Sequence, residues 1–490
     1  MSRANSLRMK SLTRRDLLRL SAAGAVGLSS ASFLAACGGN NGSSTKATVA
    51  SGGAAASQAT ARGTVATAPS TVTSVAGTPR ATSAPASGTL SYFSEETADT
   101  DVAWYNVLNA ALKKTNPDIV IEAQYLSTGK DFFPKLQTAL AAHSPPDFIP
   151  RNGFSTAYTM WSQGVLDPAD DLIQTIGVDK FSPAALDAMK EGKNYIGVPF
   201  DVVSEILYYR TDLAQQAGLK PPTNWTELLT FAKTLTKGGV YGFVLPFGNT
   251  HTTSRLFLSF LRQNGGNIVD PDLKVVFDPP AVVEALDFIK ELSQYSPPGS
   301  ATYGAPEMTN AFYTGQAASV KYGGRVISEA IAKNPSLADK LGAVQPPYSK
   351  MPFAFAAPSS AQVFKEAKRK DLAKLWITKF QYDLQIYLQW MNVLPGQYLP
   401  LIPAVAQLPE YINNSIRQKY PDIIKQLTDA VSTSGDFTKE SPKHKLNPHA
   451  GELDDGPILV NAVQQVLVGG QSSKSVVTAT AKLIEALMKG

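Results

Sequence analysis

A chain of 490 residues has room for two or more domains, and 43% hydrophobic with 17% charged residues is enough for a substantial core. A single cysteine excludes an internal disulfide framework and a cysteine-built zinc site. The net charge of +5 is unevenly placed: residues 1–87 hold nine bases against one acid, whereas the remainder holds 36 bases and 39 acids, so the body has no positive excess with which to hold nucleic acid.

The first predicted element is a leader. "TRRDLLR" (13–19) runs into "LLRLSAAGAVGLSSASFLAAC" (17–37), an apolar stretch that is short, mild and rich in Gly and Ser. It reads as a signal-peptide core and is a poor membrane span. Arg14 and Arg15, followed by Leu17 and Leu18, resemble the twin-arginine export signal. Paired arginines also stand in ordinary secretory leaders, so both routes remain open. "LAAC", Leu34 to Cys37, resembles the bacterial lipobox. That resemblance implies removal of residues 1–36 and lipidation of Cys37, with two or three acyl chains, enough for stable anchoring. Residues 37–87 are Ala, Ser, Thr and Gly with scattered Val and Pro and no aromatic residue. They cannot bury enough apolar surface to offset ordering entropy, and are expected to be a tether reaching on the order of 35–45 Å.

The body begins at residue 88. "TLSYFS" (89–94) alternates as a strand; "VAWYNVLNAALKKTNP" (102–117) has helical spacing and stops at Asn116-Pro117. "DIVIEAQYL" (118–126) is a second strand, "DFFPKLQTALAAHSPPD" (131–147) a second helix, and "DFIP" (147–150) a third strand. This alternation predicts an α/β fold with a mostly parallel sheet, in which ligands gather at the carboxyl ends of strands. Those ends are Phe93–Glu96, Leu126–Thr128 and Arg151–Gly153.

Four further stretches resemble the bacterial extracellular solute-binding proteins of carbohydrate-type ABC importers, the family of maltose-binding protein. They are "PPDFIP" with "SQGVLDPADDLI", "EGKNYIGVPFDVVSEILYYRTDLAQQAGLKPPTNWTELLTFAKTLTK", "RQNGGNIVDPDLKVVFDPPAVVEALDFIKEL" and "AFYTGQAASVKYGGR". The resemblance spans roughly residues 88–490 and is most specific in the middle. Two departures stand out: Tyr209-Arg210 where Asn-Lys is common, and Arg325 near where the family often has Trp. The resemblance implies a two-lobed periplasmic-binding-protein-like fold, each lobe a sheet flanked by helices, with the ligand cleft between. Lobe one is placed at about 88–201 and 357–410, and lobe two at about 202–356 and 411–490. Asp201–Arg210 is expected to be the first crossing strand. A monomer is implied, working with a small solute and the permease subunits of an importer, outside the cytoplasmic membrane.

Candidate ligand contacts follow from strand ends and from the resemblance. Phe93, Glu95 and Glu96 end the first strand, where carboxylates suit paired bonds from adjacent hydroxyls. Arg151 and Asn152 end the third. Asp201 sits at the proposed crossing, and Glu205, four residues on, is expected on the same strand face. Tyr322 and Arg325 flank two glycines in "KYGGR"; Phe247 and Asn249 follow a short strand in "LPFGNTH"; His449 and Glu452 lie in "NPHAGELDDG". Trp225 is read instead as packing the start of a helix capped by Thr223 or Asn224. The four histidines, His143, His251, His444 and His449, show no metal-ligand pairing, and HExxH, phosphate-loop, GxGxxG and GxSxG motifs are missing from the sequence. No cofactor is expected. The leading expectation is a receptor for a sugar or oligosaccharide, without chemistry of its own. Arg151 and Arg325 keep an anionic or other polar solute open, the acid pairs keep a glycoside-active enzyme as a rival, and a surface adhesion or sensory module using the same fold without a transporter is another.

Overall fold

The computed structural model describes residues 86–127, 131–277, 280–438 and 445–489. The expected leader with its arginine pair, the expected lipidation site at Cys37 and nearly all of the expected tether lie outside the described residues.

The chain begins as the sequence pattern suggests. Strand β1 (Gly88–Ser94) is followed by helix α1 (Asp99–Thr115), β2 (Ile119–Tyr125), α2 (Phe132–Ala141) and β3 (Phe148–Gly153). Helix α1 buries Trp104, Tyr105, Leu108 and Leu112 along one stripe, with Asp99 and Asp101 in its first turn and Lys113 and Lys114 in its last, each charge opposing the helix dipole. Helix α3 (Phe154–Ser162) leaves β3 directly. Next come β4 (Val198–Ser204), β5 (Ile206–Arg210), α4 (Trp225–Leu235), α5 (His251–Gln263), β6 (Ser319–Tyr322), α6 (Arg325–Lys333) and β7 (Leu341–Val344). Then follow β8 (Ala354–Val363), α7 (Leu384–Val393), β9 (Leu399–Pro400), β10 (Ser434–Gly435) and α8 (Ala450–Asp455).

Two principal sheets result. The larger runs β9-β4-β8-β3-β1-β2, with β10 also paired to β8. β1 lies parallel to β2 and β3, pairing Leu90 with Ile121 and Tyr92 with Phe148. β8 runs antiparallel to both β3 and β4. The sheet is therefore mixed rather than mostly parallel, because β8 returns from the other lobe in the opposite direction. The smaller sheet is β6-β5-β7, antiparallel throughout, with Ile206 opposite Tyr322 and Leu207 opposite Val344. The larger sheet's main core collects Leu90 to Phe200 and Ala361 to Val405, including Trp104, Trp376 and Trp390. Another core gathers around α4, α5 and the last helices, from Leu207 to Ile484.

The crossing differs in one respect from the expected single strand over Asp201–Arg210. Val198–Ser204 belongs to the larger sheet and Ile206–Arg210 to the smaller, with Glu205 at the junction between them. Asp201 is fully buried behind Arg151, while Glu205, at the break four residues on, lines the cavity described below.

Candidate functional site

A cavity of about 410 Å³ opens between the two sheets. The end of β1 supplies Glu95 and Glu96, β3 supplies Arg151 and Gly153, and the crossing supplies Val203 and Glu205. The other lobe contributes His251, Thr252 and Arg255 from the start of α5, and Tyr322, Gly323 and Arg325 from the β6–α6 turn. β8 adds Phe355, Ala357 and Ser359.

The arginines are fixed by buried acids. Arg151 donates through Nε and Nη2 to Asp201 at 2.8 and 3.0 Å, and through Nη1 to Glu96; Glu95 is 3.8 Å away. Asp201 also accepts from Trp390 Nε1 at 2.7 Å and Ser359 Oγ at 2.6 Å. Four donors thus occupy its two oxygens. Tyr398 stacks on Trp390 at 4.2 Å and lies under the Arg151 guanidinium at 5.0 Å. Arg325 bridges the lobes, donating to Asp101 and to the Tyr398 hydroxyl, each at 3.2 Å. Its backbone N–H donates to Gln397 at 2.8 Å. Arg255 makes a two-pronged contact with Asp454, 2.8 Å on each prong. Glu205 pairs with Lys321.

Burial sets the protonation of this region. It pushes the Glu95 carboxyl up to about 8, against the opposing pull of Arg151 and with further upward pushes from Glu96 and Asp455. Asp101 is raised to about 7 by burial and by Glu96, with Arg325 opposing. Asp455 is raised to about 7 by burial and by Asp454. His251 is held well below its ordinary value by burial and by Arg255, so it stays neutral. Arg151 is held well above its ordinary value, because Asp201 and Glu96 outweigh its burial.

Of the residues singled out from sequence, Glu95, Glu96, Arg151, Glu205, Tyr322 and Arg325 line the cavity together. Five others do not. Phe93 points into a core with Phe132, Leu136 and Ile149. Asn152, 1% exposed, pairs through its backbone with Ser360 inside the sheet. Asp201 lies behind Arg151. Phe247 packs in the core around α5, and Asn249 faces solvent. His449 precedes α8, and Glu452 accepts from Thr159, tying α8 to α3. The second glycine of "KYGGR" serves a close approach to protein: a Cβ on Gly324 would overlap the Gly396 carbonyl. Trp225 stacks on Phe288 at 4.1 Å, beside the helix cap made by Asn224.

His251, Thr252, Arg255, Ser359 and Gln397 line the cavity and escaped the sequence reading. A signal existed for one: Arg255 is the charged residue in the otherwise apolar run "RLFLSFL". Among the described residues, no group of His, Cys, Asp and Glu is placed to hold a metal ion, and no helix is long and apolar enough to cross a membrane.

Comparison with known proteins gives the following. The family model of the bacterial extracellular solute-binding protein matches residues 94–381. A putative ABC transporter periplasmic-binding protein of Escherichia coli (strain K12) is 22% identical over 389 residues, covering 78% of this chain and 88% of that one. The GacH receptor of Streptomyces glaucescens, solved unliganded and with acarbose, superposes with a TM-score of 0.69 at 22% identity, over 82% of this chain and 99% of that one. Maltose-bound MalE3 of T. maritima gives 0.71 at 19% identity, over 82% and 100%. These two structures share the two-lobed fold.

Proposed function

The chain belongs to the bacterial extracellular solute-binding protein family, binding proteins of ABC transporters; from that membership we propose that it captures a sugar or oligosaccharide and delivers it to an importer's permease. The observation that carries the sugar reading is the state of the cavity's cations. Arg151 and Arg255 are each already paired with a buried carboxylate, and Arg325 faces Glu96 at 3.9 Å beside the Asp101 carboxyl, so the wall is polar and charge-compensated. Such a wall offers charge-assisted hydrogen bonds to hydroxyls without demanding a counter-charge. It supports the sugar class over the anionic alternative, in which Arg151 and Arg325 would have to exchange Asp201 and Asp101 for ligand. The receptor acts by binding and release, without bond-making. Glu95 and Glu96 are neighbours tied to one arginine, a poor arrangement for the separated acid and base of glycoside hydrolysis.

Cys37 carries the lipid, residues 37–87 form the leash, and the working body stands at the outer face of the membrane as a monomer. The lobes divide at about 88–201 with 357–410 and 202–356 with 411–490, a reading supported by the core that gathers Leu90 to Phe200 and Ala361 to Val405. Closure on solute is a hinge motion about the crossing strands.

A thermal-shift screen against mono-, di- and oligosaccharides, sugar phosphates, uronates, amino acids and polyamines tests this. A ligand at a hundredfold over its dissociation constant adds about 2.7 kcal/mol of stability. A shift with neutral hydroxylated compounds is the expected result. A shift with acids alone refutes the sugar class, and turnover of a chromogenic glycoside refutes the receptor role.

A further inference from the structure

Resting on the receptor reading, we propose that the solute is an acyclic polyol, a sugar alcohol gripped through its hydroxyls and not across a ring face. A cyclic sugar presents C–H faces as well as hydroxyls, and a site for it gains by covering such a face with a flat aromatic ring. This cleft has little to offer in that way. Among the described residues no tryptophan lines it. Trp104, Trp376 and Trp390 are in the core of the larger sheet, Trp225 is stacked on Phe288, and Trp161 packs beside Phe154 and Tyr158. Two aromatic residues line the cavity, Tyr322 and Phe355. Phe355 is 2% exposed, and the Arg255 guanidinium stands 5.1 Å over its ring, so that face is taken. Among the described residues, Tyr322 alone of the tyrosines, phenylalanines and tryptophans is left to meet a ring.

Hydrogen-bonding groups, by contrast, come from every side: Glu95, Glu96 and Arg151 from one lobe, Glu205 at the crossing, Arg255 and Arg325 from the other. A carboxylate accepts from neighbouring hydroxyls on a carbon chain. A guanidinium has five N–H donors, more than its protein partners use; Arg255 commits Nε and one amino nitrogen to Asp454. An acyclic polyol bears a hydroxyl on each carbon and has no broad C–H face to leave uncovered. It also carries no charge, matching cations that are already compensated. The cavity of about 410 Å³ accommodates a five- or six-carbon chain.

Isothermal titration of the full chain, purified in detergent, tests the class directly. The probes are D-mannitol, D-glucitol and ribitol, each beside its cyclic counterpart (mannose, glucose, ribose), together with maltose, maltotriose and mannitol 1-phosphate. The expected result is that one polyol binds about tenfold or more tightly than every cyclic sugar, a difference of about 1.4 kcal/mol. If a cyclic sugar or an oligosaccharide binds as tightly as the best polyol, the polyol class is overturned and the receptor reading survives. If only the phosphate binds, the polyol class and the neutral-sugar class are both overturned while the receptor role stands; if nothing in the panel binds, the receptor reading is overturned with them.

Discussion

Asp201→Asn removes one negative charge from the buried centre of the larger sheet and keeps the side chain's shape. The carboxylate is fully buried and accepts from Arg151 at 2.8 and 3.0 Å, Trp390 at 2.7 Å and Ser359 at 2.6 Å. Asparagine offers one acceptor oxygen and turns its amide N–H groups toward donors on the other side. Arg151, 7% exposed, then keeps Glu96 as its near partner. Removing one member of a buried pair costs about 3–5 kcal/mol, and the remaining Glu96 contact puts the expectation near about 3. Urea unfolding, compared at equal slope, reads this as a lower midpoint. The control is Asp429→Asn, which breaks the exposed Lys425–Asp429 pair on one helix, worth about 0.3–0.5 kcal/mol. If Asp201→Asn loses less than about 1 kcal/mol while solute affinity collapses, Asp201 touches ligand and the positioning argument is wrong.

The remaining expectations concern pH, a close approach and a helix cap. Glu95, raised to about 8 from 4.5, and Asp101 and Asp455, raised to about 7 from 3.8, hold protons in the folded state that the unfolded chain has lost. Stability therefore falls as pH rises from about 5 to 8, whereas His251, depressed from 6.5, destabilises only below that value. Between pH 6.5 and 8 the carboxyls dominate, giving a loss on the order of 3 kcal/mol; a melting temperature that rises across this window contradicts it. Gly324→Ala places a Cβ against the Gly396 carbonyl and should cost about 1–3 kcal/mol in thermal unfolding, with weaker solute binding as the β6–α6 turn shifts. Asn224→Ala removes the acceptor for the Glu227 N–H at 2.9 Å and should cost about 1 kcal/mol with affinity unchanged.

The first half of the larger sheet was legible because β1 alternates, α1 has a clear apolar stripe and Asn116-Pro117 stops it. The crossing was less so: "VPFDVVSEILYYR" is nearly continuous in apolar and β-forming residues, so nothing local marks Glu205 as the junction. In the site, Glu95 and Glu96 follow from their place after β1. Asp201 shows why the rest was hidden. An acid in that strand suggests a ligand contact, yet its partners Arg151, Ser359 and Trp390 lie 50, 158 and 189 residues away. Burial of a charge by partners that distant is a property of the fold and leaves no local pattern.

The central claim is that the cleft between the sheets holds the solute, and Gly153 tests it. Gly153 lines the cavity, has φ −60° and ψ 145°, and a Cβ there meets nothing within 4 Å. Gly153→Leu should fill the cleft while leaving the fold intact. The measurement is the ligand-induced rise in melting temperature of the wild type and of this variant, with the best neutral hydroxylated ligand. The expected result is a clear rise for the wild type, none for the variant, and equal melting temperatures without ligand. An equal rise in both proteins would place the binding site elsewhere.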